Sequence, residues 1–347
     1  MRSLVFVTQE VDPSHPALAA TIPKIAALSR RVDRVAVLSA GQVPGVLPAN
    51  CVVHTFGAST KAERGLRFTR GLATELVRAR PFAVLAHMCP IYAVLAAPLA
   101  RPLGVPVLLW YTHWHASPTL KLAGRVSNAI LSVDRRSVPL ASVEVHAIGH
   151  GIDLGEFDCR SHPAQSELRL LALGRYSPSK GLDVVLRALR RAVDAGLDAR
   201  LVAHGPTLSE LERGHLAELE RLVHELRLEE RVRLEGSVPR SEVGDVFAGS
   251  DVLVNNMRAG APDKVVYEAA AACLPVIASN PVFDTFLPDE LRFERDDPAS
   301  LAERLRWFAA RTADERGALG RSLHERVVRG HSVEHWADQV VAIAESA

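Results

Sequence analysis

The chain has little that would tie it to a metal, a membrane or a nucleic acid. Its four cysteines, Cys51, Cys89, Cys159 and Cys273, show no Cys-x-x-Cys spacing. That argues against a zinc site or a disulfide framework, fits a reducing compartment, and makes the cytoplasm the expected location. Charge is balanced, with 41 Lys+Arg against 40 Asp+Glu. No nucleic-acid partner is therefore expected; peripheral membrane contact is left open, without support from total charge. No targeting segment is legible: the apolar run in residues 2–8 is short and gives way at once to Glu10 and Asp12. The nearest thing to a membrane span, residues 92–110, is interrupted by Pro98, Arg101, Pro102, Gly104 and Pro106. Lysine is scarce, occurring at positions 24, 61, 121, 180 and 264. Lys180 and Lys264 both fall in the motifs below, where an ammonium is not interchangeable with a guanidinium.

What is present is a long alternation of apolar strands and amphipathic helices. With 347 residues, 48% hydrophobic and 23% charged, the chain is long enough for two ordinary globular domains. In the first half, strands are predicted at 4–8, 35–39, 83–86, 105–110 and 143–148, with helices at 17–30, 61–80, 92–100 and 120–130. In the second, strands are predicted at 168–173, 199–203, 232–235, 252–254 and 276–278. Helices there fall at 181–195, 208–226, 241–247, 264–272, 299–311 and 314–328. This pattern implies two parallel sheets covered by helices on both faces. The polar stretch 158–166 (DCRSHPAQS) reads as the linker, giving domains 1–160 and 161–331. A last helix within 332–347, carrying Trp336, Val340, Val341 and Ile343, could pack on either domain, including back on the first. Ligands of open parallel sheets bind beyond the carboxyl ends of the strands, so two such edges facing each other would form a cleft.

Two motifs follow predicted strands in the second half. Residues 174–182 (GRYSPSKGL) place Arg175 and Lys180 near the start of a helix whose apolar positions are Leu182, Val185, Leu186, Leu189 and Val193. A helix N-terminus with two added cations suits a diphosphate. The plainer alternative is a strand–turn–helix with solvated charges. Residues 255–272 (NNMRAGAPDKVVYEAAAA) put Pro262 and Asp263 in a predicted first helical turn. There the 260–264 backbone, from Gly260 to Lys264, would meet an anionic or hydroxylated ligand, and Glu268 would accept ribose hydroxyls. The alternative is an i,i+4 surface pair of Lys264 and Glu268, in the weaker orientation.

The segments GRYSPSKGLDVVLRAL, RVRLEGSVPRSEVGDVFAGSDVLV and KVVYEAAAACLPVIAS resemble the donor-domain signatures of the family-4 retaining glycosyltransferases. The resemblance covers most of 168–328 and is looser before it. It implies the GT-B architecture, two Rossmann-like α/β domains with parallel sheets facing across a cleft. The N-terminal domain would hold the acceptor, and the C-terminal one a nucleotide-diphosphate sugar as co-substrate, with no other cofactor. Arg175 and Lys180 would bind the diphosphate and stabilise the leaving group, Glu268 would bind the ribose, and the loop 236–238, with Val238, would line the base. In the first half, residues 147–153 (AIGHGID) resemble the family's interdomain segment and make Gly149 and His150 candidate substrate contacts. His113 matches a histidine that hydrogen-bonds the donor sugar; on its residues alone it also reads as a polar cap beside Trp114. The resemblance also implies transfer with retention, to a saccharide, lipid or small-molecule acceptor that it does not identify, as it does not fix the oligomeric state.

The sequence departs from the family in two places. Where the family carries the first of two glutamates separated by seven residues, this chain has Gly260. That puts the donor sugar in doubt and leaves Asp263 or the 260–264 backbone as substitutes. The loop 9–16 lacks the glycine pair that many members carry; Asp12 and His15 replace those contacts, or the loop is a rigid turn. No two aspartates lie two apart, so the metal motif of the other major glycosyltransferase fold is absent, and the expected chemistry needs no metal. His113 and His115 lack a third ligand cluster. Residues 149–155 lack dinucleotide spacing, and Ser177–x–x–Lys180 lacks the companion motifs of a serine hydrolase. The expectation is a glycosyltransferase. Its rivals are a catalytically weak or inactive nucleotide-sugar binder with a regulatory role and, more remotely, a GT-B epimerase, which would need cleft carboxylates not identified here.

Overall fold

A computed structural model of the chain describes residues 2–15, 18–141, 143–160, 166–258, 260 and 262–347. They form two compact units, Met1–Asp153 with Gly330–Ala347, and Leu154–Arg329.

The first unit runs β1 (Ser3–Val11), α1 (Thr21–Ser29), β2 (Arg34–Gln42), β3 (Cys51–Thr55), α2 (Lys61–Ala79), β4 (Ala83–His87), α3 (Pro90–Ala100), β5 (Val107–Trp110), α4 (Pro118–Val126), β6 (Ala129–Ser132) and β7 (Val145–Ala147). The seven strands pair in parallel in the order β3-β2-β1-β4-β5-β6-β7. Central strands such as LVFV in β1 and AVLAH in β4 are fully buried, as expected of a sheet with helices on both faces. Two strands were not predicted. β3 is a half-buried edge whose residues are shared between core and solvent. β6 (AILS) was read as the end of a helix, because a four-residue apolar run has no period of its own. What separates it from α4 is Asn128: its Oδ1 accepts from Val107 N at 3.0 Å and its N–H donates to Val107 O at 2.7 Å.

The second unit runs β8 (Leu168–Leu173), α5 (Leu182–Asp194), β9 (Ala199–His204), α6 (Glu210–Glu225), β10 (Val232–Glu235), α7 (Val243–Ala248), β11 (Val252–Asn255), α8 (Lys264–Ala271), β12 (Val276–Ala278), α9 (Pro298–Ala309) and α10 (Ala313–Gly330). Its parallel order, β10-β9-β8-β11-β12, puts β8 at the centre. All five predicted strands are present.

The chain then returns to the first unit. α11 (Val333–Ser346) lays Trp336, Ala337 and Val340, all fully buried, into that unit. Arg31 holds it through Asp338 at 2.6 Å and Glu334 at 2.8 Å. Ile152 N donates to His331 O at 2.7 Å, and Val333 N donates to Ile152 O at 2.8 Å. The approach requires glycine at 149, where φ is 79° and a Cβ would lie 1.9 Å from Gly330 O.

The division between units falls at Asp153/Leu154, ahead of the expected 160/161. Residues 154–160 are tied to the second unit: Phe157 packs on Phe247 with ring centroids 5.8 Å apart, and Arg160 pairs with Asp245 at 3.2 Å. The middle of the expected linker, 161–165, lies outside the described residues. The reading of the cysteines is corrected at the same place, because Cys159 and Cys273 form a disulfide across 114 residues. Spacing could not reveal it, since the two lie 114 residues apart and meet only in the folded chain. Cys51 and Cys89 remain thiols, which burial pushes up to about 11 and about 12. No helix among the described residues is long and apolar enough to cross a membrane.

Candidate functional site

The turn after β8 is built by close backbone contacts. A Cβ on Gly205, just beyond β9, would lie 1.9 Å from Gly174 O, so the turns after these two strands touch backbone to backbone. Ser177 opens a 3-10 turn over Pro178–Lys180, accepting from Ser179 N. Gly181 then enters α5 with φ 58°, and a Cβ there would strike Asn256 Nδ2 at 2.3 Å. Asn256, just after β11, donates to Gly181 O at 3.2 Å. Arg258 completes the latch: its backbone N donates to Ser179 O at 2.7 Å and its Nη1 to Pro178 O at 2.8 Å. The turn is thereby fixed against the carboxyl end of its neighbouring strand.

Beside it, at the carboxyl ends of β8, β9 and β11, lies a small cavity that both Arg175 and Lys180 line. Each cation is held by a carboxylate. Arg175, 55% exposed at its side chain, donates from Nη1 to Glu212 Oε1 at 3.1 Å. Glu212 lies in the first turn of α6, its N donating to the Ser209 Oγ cap at 3.2 Å and its Oε2 accepting from Leu208 N, just before the cap, at 2.6 Å. Lys180, 20% exposed, pairs with Asp263, whose Oδ2 also accepts from Asn255 Nδ2 at 2.8 Å. Two cations on one cavity wall at a helix start can take an anion with more than one charge.

Asp263 itself is displaced from its expected place. α8 begins at Lys264, so Asp263 occupies the extended cap position and Pro262 precedes the helix. Its side chain makes no cap hydrogen bond, because Lys180 and Asn255 take it. Gly260 is exposed, and residue 261 of the expected 260–264 cradle lies outside the described residues.

Glu268 lies one turn into α8 and is buried. The Lys264–Glu268 pair forms at 2.6 Å, but in a buried setting, not on the surface. Arg240 Nη1 also donates to Glu268 Oε1 at 2.6 Å, while its Nη2 pairs with Glu156. The Arg240 guanidinium lies 5.0 Å over the Phe157 ring. Burial opposes ionisation of Glu268, but Lys264 and Arg240 outweigh it and hold the carboxyl below its ordinary 4.5. A lowered folded value means stabilisation that is complete above the ordinary value and is lost as pH falls through the folded one. Glu268→Gln is therefore expected to lower stability at pH 7 by about 1–3 kcal/mol. It should also flatten the acid limb below about pH 4.5 in urea unfolding. An unchanged acid limb would mean that Glu268 is not charged in the folded protein. Val238 lies half-buried in the loop after β10. The turn after β8 is tied to this edge by Tyr176, whose hydroxyl bonds the carbonyls of Ala203 and Glu235, each at 2.8 Å.

The remaining candidates belong to the first unit. His113 is exposed, and its Nδ1 accepts from His115 N at 3.1 Å, which leaves the proton on Nε2. Burial of part of the ring, with His115 adding to it, lowers its pKa, so His113 is a neutral Nε2–H donor at pH 7. It stacks on Trp114 with centroids 5.7 Å apart. Asp12 directly follows β1 and accepts from Ser14 N at 2.8 Å and Ser14 Oγ at 2.7 Å, bonds that hold its carboxyl low. His15 Nδ1 accepts from Leu18 N at 3.0 Å. These bonds tie Asp12 to Ser14 and His15 to Leu18, and residues 16 and 17 of the loop lie outside the described residues. Gly149 packs on the Gly330–His331 backbone and His150 is buried with its ring 6.1 Å from that of Trp110. Residues 147–153 accordingly seat the returning α11.

Sequence reasoning missed Arg240, Glu156, Glu212 and Arg258. Glu212 was legible as the acid three residues after Ser209. Arg240 carried no signal: it sits in a polar loop, 28 residues before the carboxylate it meets.

Residues 167–311 match the family described as glycosyl transferases group 1. D-inositol 3-phosphate glycosyltransferase 1 of Catenulispora acidiphila is 32% identical over 152 residues, which are 40% of this chain and 36% of that relative. The GPI3 subunit of phosphatidylinositol N-acetylglucosaminyltransferase of Saccharomyces cerevisiae is 23% identical over 116 residues, 33% of this chain. The chain thus spans 24% of the yeast protein's length. Among solved structures, Anabaena Alr3699/HepE in complex with UDP and glucose is similar over the whole of both chains, with a TM-score of 0.77 at 15% identity. A glycosyltransferase from Rickettsia africae has a TM-score of 0.78 at 13% identity, covering 99% of this chain and 98% of that one. The two parallel-sheet units have the fold of GT-B glycosyltransferase structures, and the match to glycosyl transferases group 1 lies within the second of them.

Proposed function

We propose that the chain is a glycosyltransferase that moves a sugar from a nucleotide diphosphate to an acceptor, with retention and without a metal, in the manner of family 4. The observation that carries this reading is the turn between β8 and α5, which sets Arg175 and Lys180 on one cavity at the carboxyl edge of the second sheet. The diphosphate takes Lys180 from Asp263 and Arg175 from Glu212, exchanging one anion for another at each cation. Both cations and the start of α5 then stabilise the charge that develops on the leaving phosphate, the term expected to dominate. The acceptor proton passes to that phosphate. Lys264 and Arg240 both bond Glu268 Oε1, so Oε2 is the oxygen offered to a ribose hydroxyl. His113, as an Nε2–H donor, is the contact for the transferred sugar, and Val238 lines the base. UDP and UDP-glucose, the molecules named with the Anabaena protein, represent the donor class proposed.

Gly260 supports a second reading, a nucleotide-sugar binder with weak or no turnover, because no side chain there can hold the sugar. Titration calorimetry with UDP and UDP-glucose, followed by a donor-hydrolysis assay in excess chelator, separates the two. Binding with hydrolysis supports transfer, and binding without it supports the second reading. Glu268→Ala should weaken free UDP about tenfold or more, since ribose contacts exist before and during reaction. Unchanged UDP affinity would make Glu268 structural only.

A further inference from the structure

Cys159, Cys273 and His324 come together in the second unit from three separate segments. Cys159 is exposed and follows the crossover at Asp153/Leu154, whereas Cys273 is buried just beyond α8. His324 lies on α10, where its Nδ1 bonds the Ala271 carbonyl at 2.7 Å. The two sulfurs and a ring nitrogen of His324 lie within 4.8 Å of one another. α10 sits directly on this corner: a Cβ on Gly320 would lie 1.9 Å from Cys273 O.

The disulfide runs alongside an ionic chain that joins the same two segments. Glu156, three residues before Cys159, pairs with Arg240, and Arg240 pairs with Glu268 on α8. Cys273 closes the other end, two residues after α8. One covalent and one ionic bridge therefore both hold residues 154–160 against the element that carries Glu268. The first is open to a solvent reductant at Cys159.

We propose that Cys159–Cys273 is a reversible redox clamp on residues 154–160. A thiolate of a small dithiol attacks the sulfur of the exposed Cys159, forms a mixed disulfide and expels Cys273 as a thiolate, which takes its proton from solvent. The second thiol of the reductant then displaces the Cys159 thiol and leaves as a cyclic disulfide. Two electrons pass from the dithiol to the protein, and two protein thiols result. A disulfide oxidant such as oxidised glutathione reverses the exchange. Oxidised, the clamp fixes Glu156 and, through Arg240, the carboxylate of Glu268; reduced, residues 154–160 lose their covalent tie and are held only by the ionic chain, the Phe157–Phe247 packing and the Arg160–Asp245 pair.

The test needs no nucleotide and so stands apart from the proposed activity. Protein prepared without reductant is denatured and its thiols are counted, and amide exchange of 154–160 is followed in the native state. Two thiols are expected before dithiothreitol, four after it, and two again after oxidised glutathione. Exchange in 154–160 should rise at least tenfold on reduction while β1 is unchanged. Cys159→Ser should match the reduced protein whether or not reductant is present. Four thiols persisting in oxidised glutathione would overturn the clamp, as would exchange that ignores reduction. So would zinc, added alone, binding the reduced protein and blocking reoxidation, which would make the cluster a metal site. The reduced wild-type protein carries the test should the serine variant fold poorly.

Discussion

Replacing Lys180 by alanine should slow turnover with a nucleotide-sugar donor by roughly a hundredfold or more, the usual consequence of losing a group that stabilises developing charge. Lys180 is 20% exposed and directed into the edge of the cavity, so its charge is poorly screened there. Arg175→Ala should have an effect in the same direction and smaller, because the guanidinium is 55% exposed and better screened. Neither change should unfold the unit. Losing Lys180 leaves Asp263 with Asn255 as a partner, and losing Arg175 leaves Glu212 bonded to Leu208 N. Steady-state kinetics with circular dichroism on both variants is the check. Wild-type rates in both would remove the diphosphate assignment, while loss of the folded signal would make the comparison one of stability.

Gly149→Ala should cost the first unit more stability than any surface change, about 3 kcal/mol or more. Two effects add there. The backbone has φ 79°, which an L side chain adopts with strain, and the new Cβ would lie 1.9 Å from Gly330 O. Gly104 separates the two effects, since it shares a positive φ of 72° but has nothing within 4 Å of a Cβ. Gly104→Ala should therefore cost only about 1 kcal/mol. Urea unfolding followed through Trp336, fully buried on α11, reads the difference. Equal midpoints for the two variants would mean that the return of α11 does not depend on the close approach at Gly149.

The second unit was largely legible in the sequence and the first only in part, for physical reasons. β8 to β12 are short strands bounded by turns, and β8 leads into α5, a helix with a clear apolar face. β6, continuous with α4, has no such boundary, and the backbone exchange of Asn128 with Val107 that defines it is tertiary. The turn carrying Arg175 and Lys180 was found because its position after a buried strand is a local property. The partners of those cations were not found, because Glu212 and Asp263 arrive from other elements. Arg240 and the Cys159–Cys273 bond belong to the same class, since only the folded chain brings them to α8. The reading of 147–153 as a ligand segment missed a local consequence of its glycine, which seats the chain's own last helix.

The central claim is that the turn between β8 and α5 holds a diphosphate. It is tested most directly by a crystal structure of the protein with UDP. The account predicts the β-phosphate within hydrogen-bond distance of Lys180 Nζ, Asp263 moved off that amine, and a ribose hydroxyl on Glu268. A nucleotide bound elsewhere, with the Lys180–Asp263 pair intact beside it, would contradict the account.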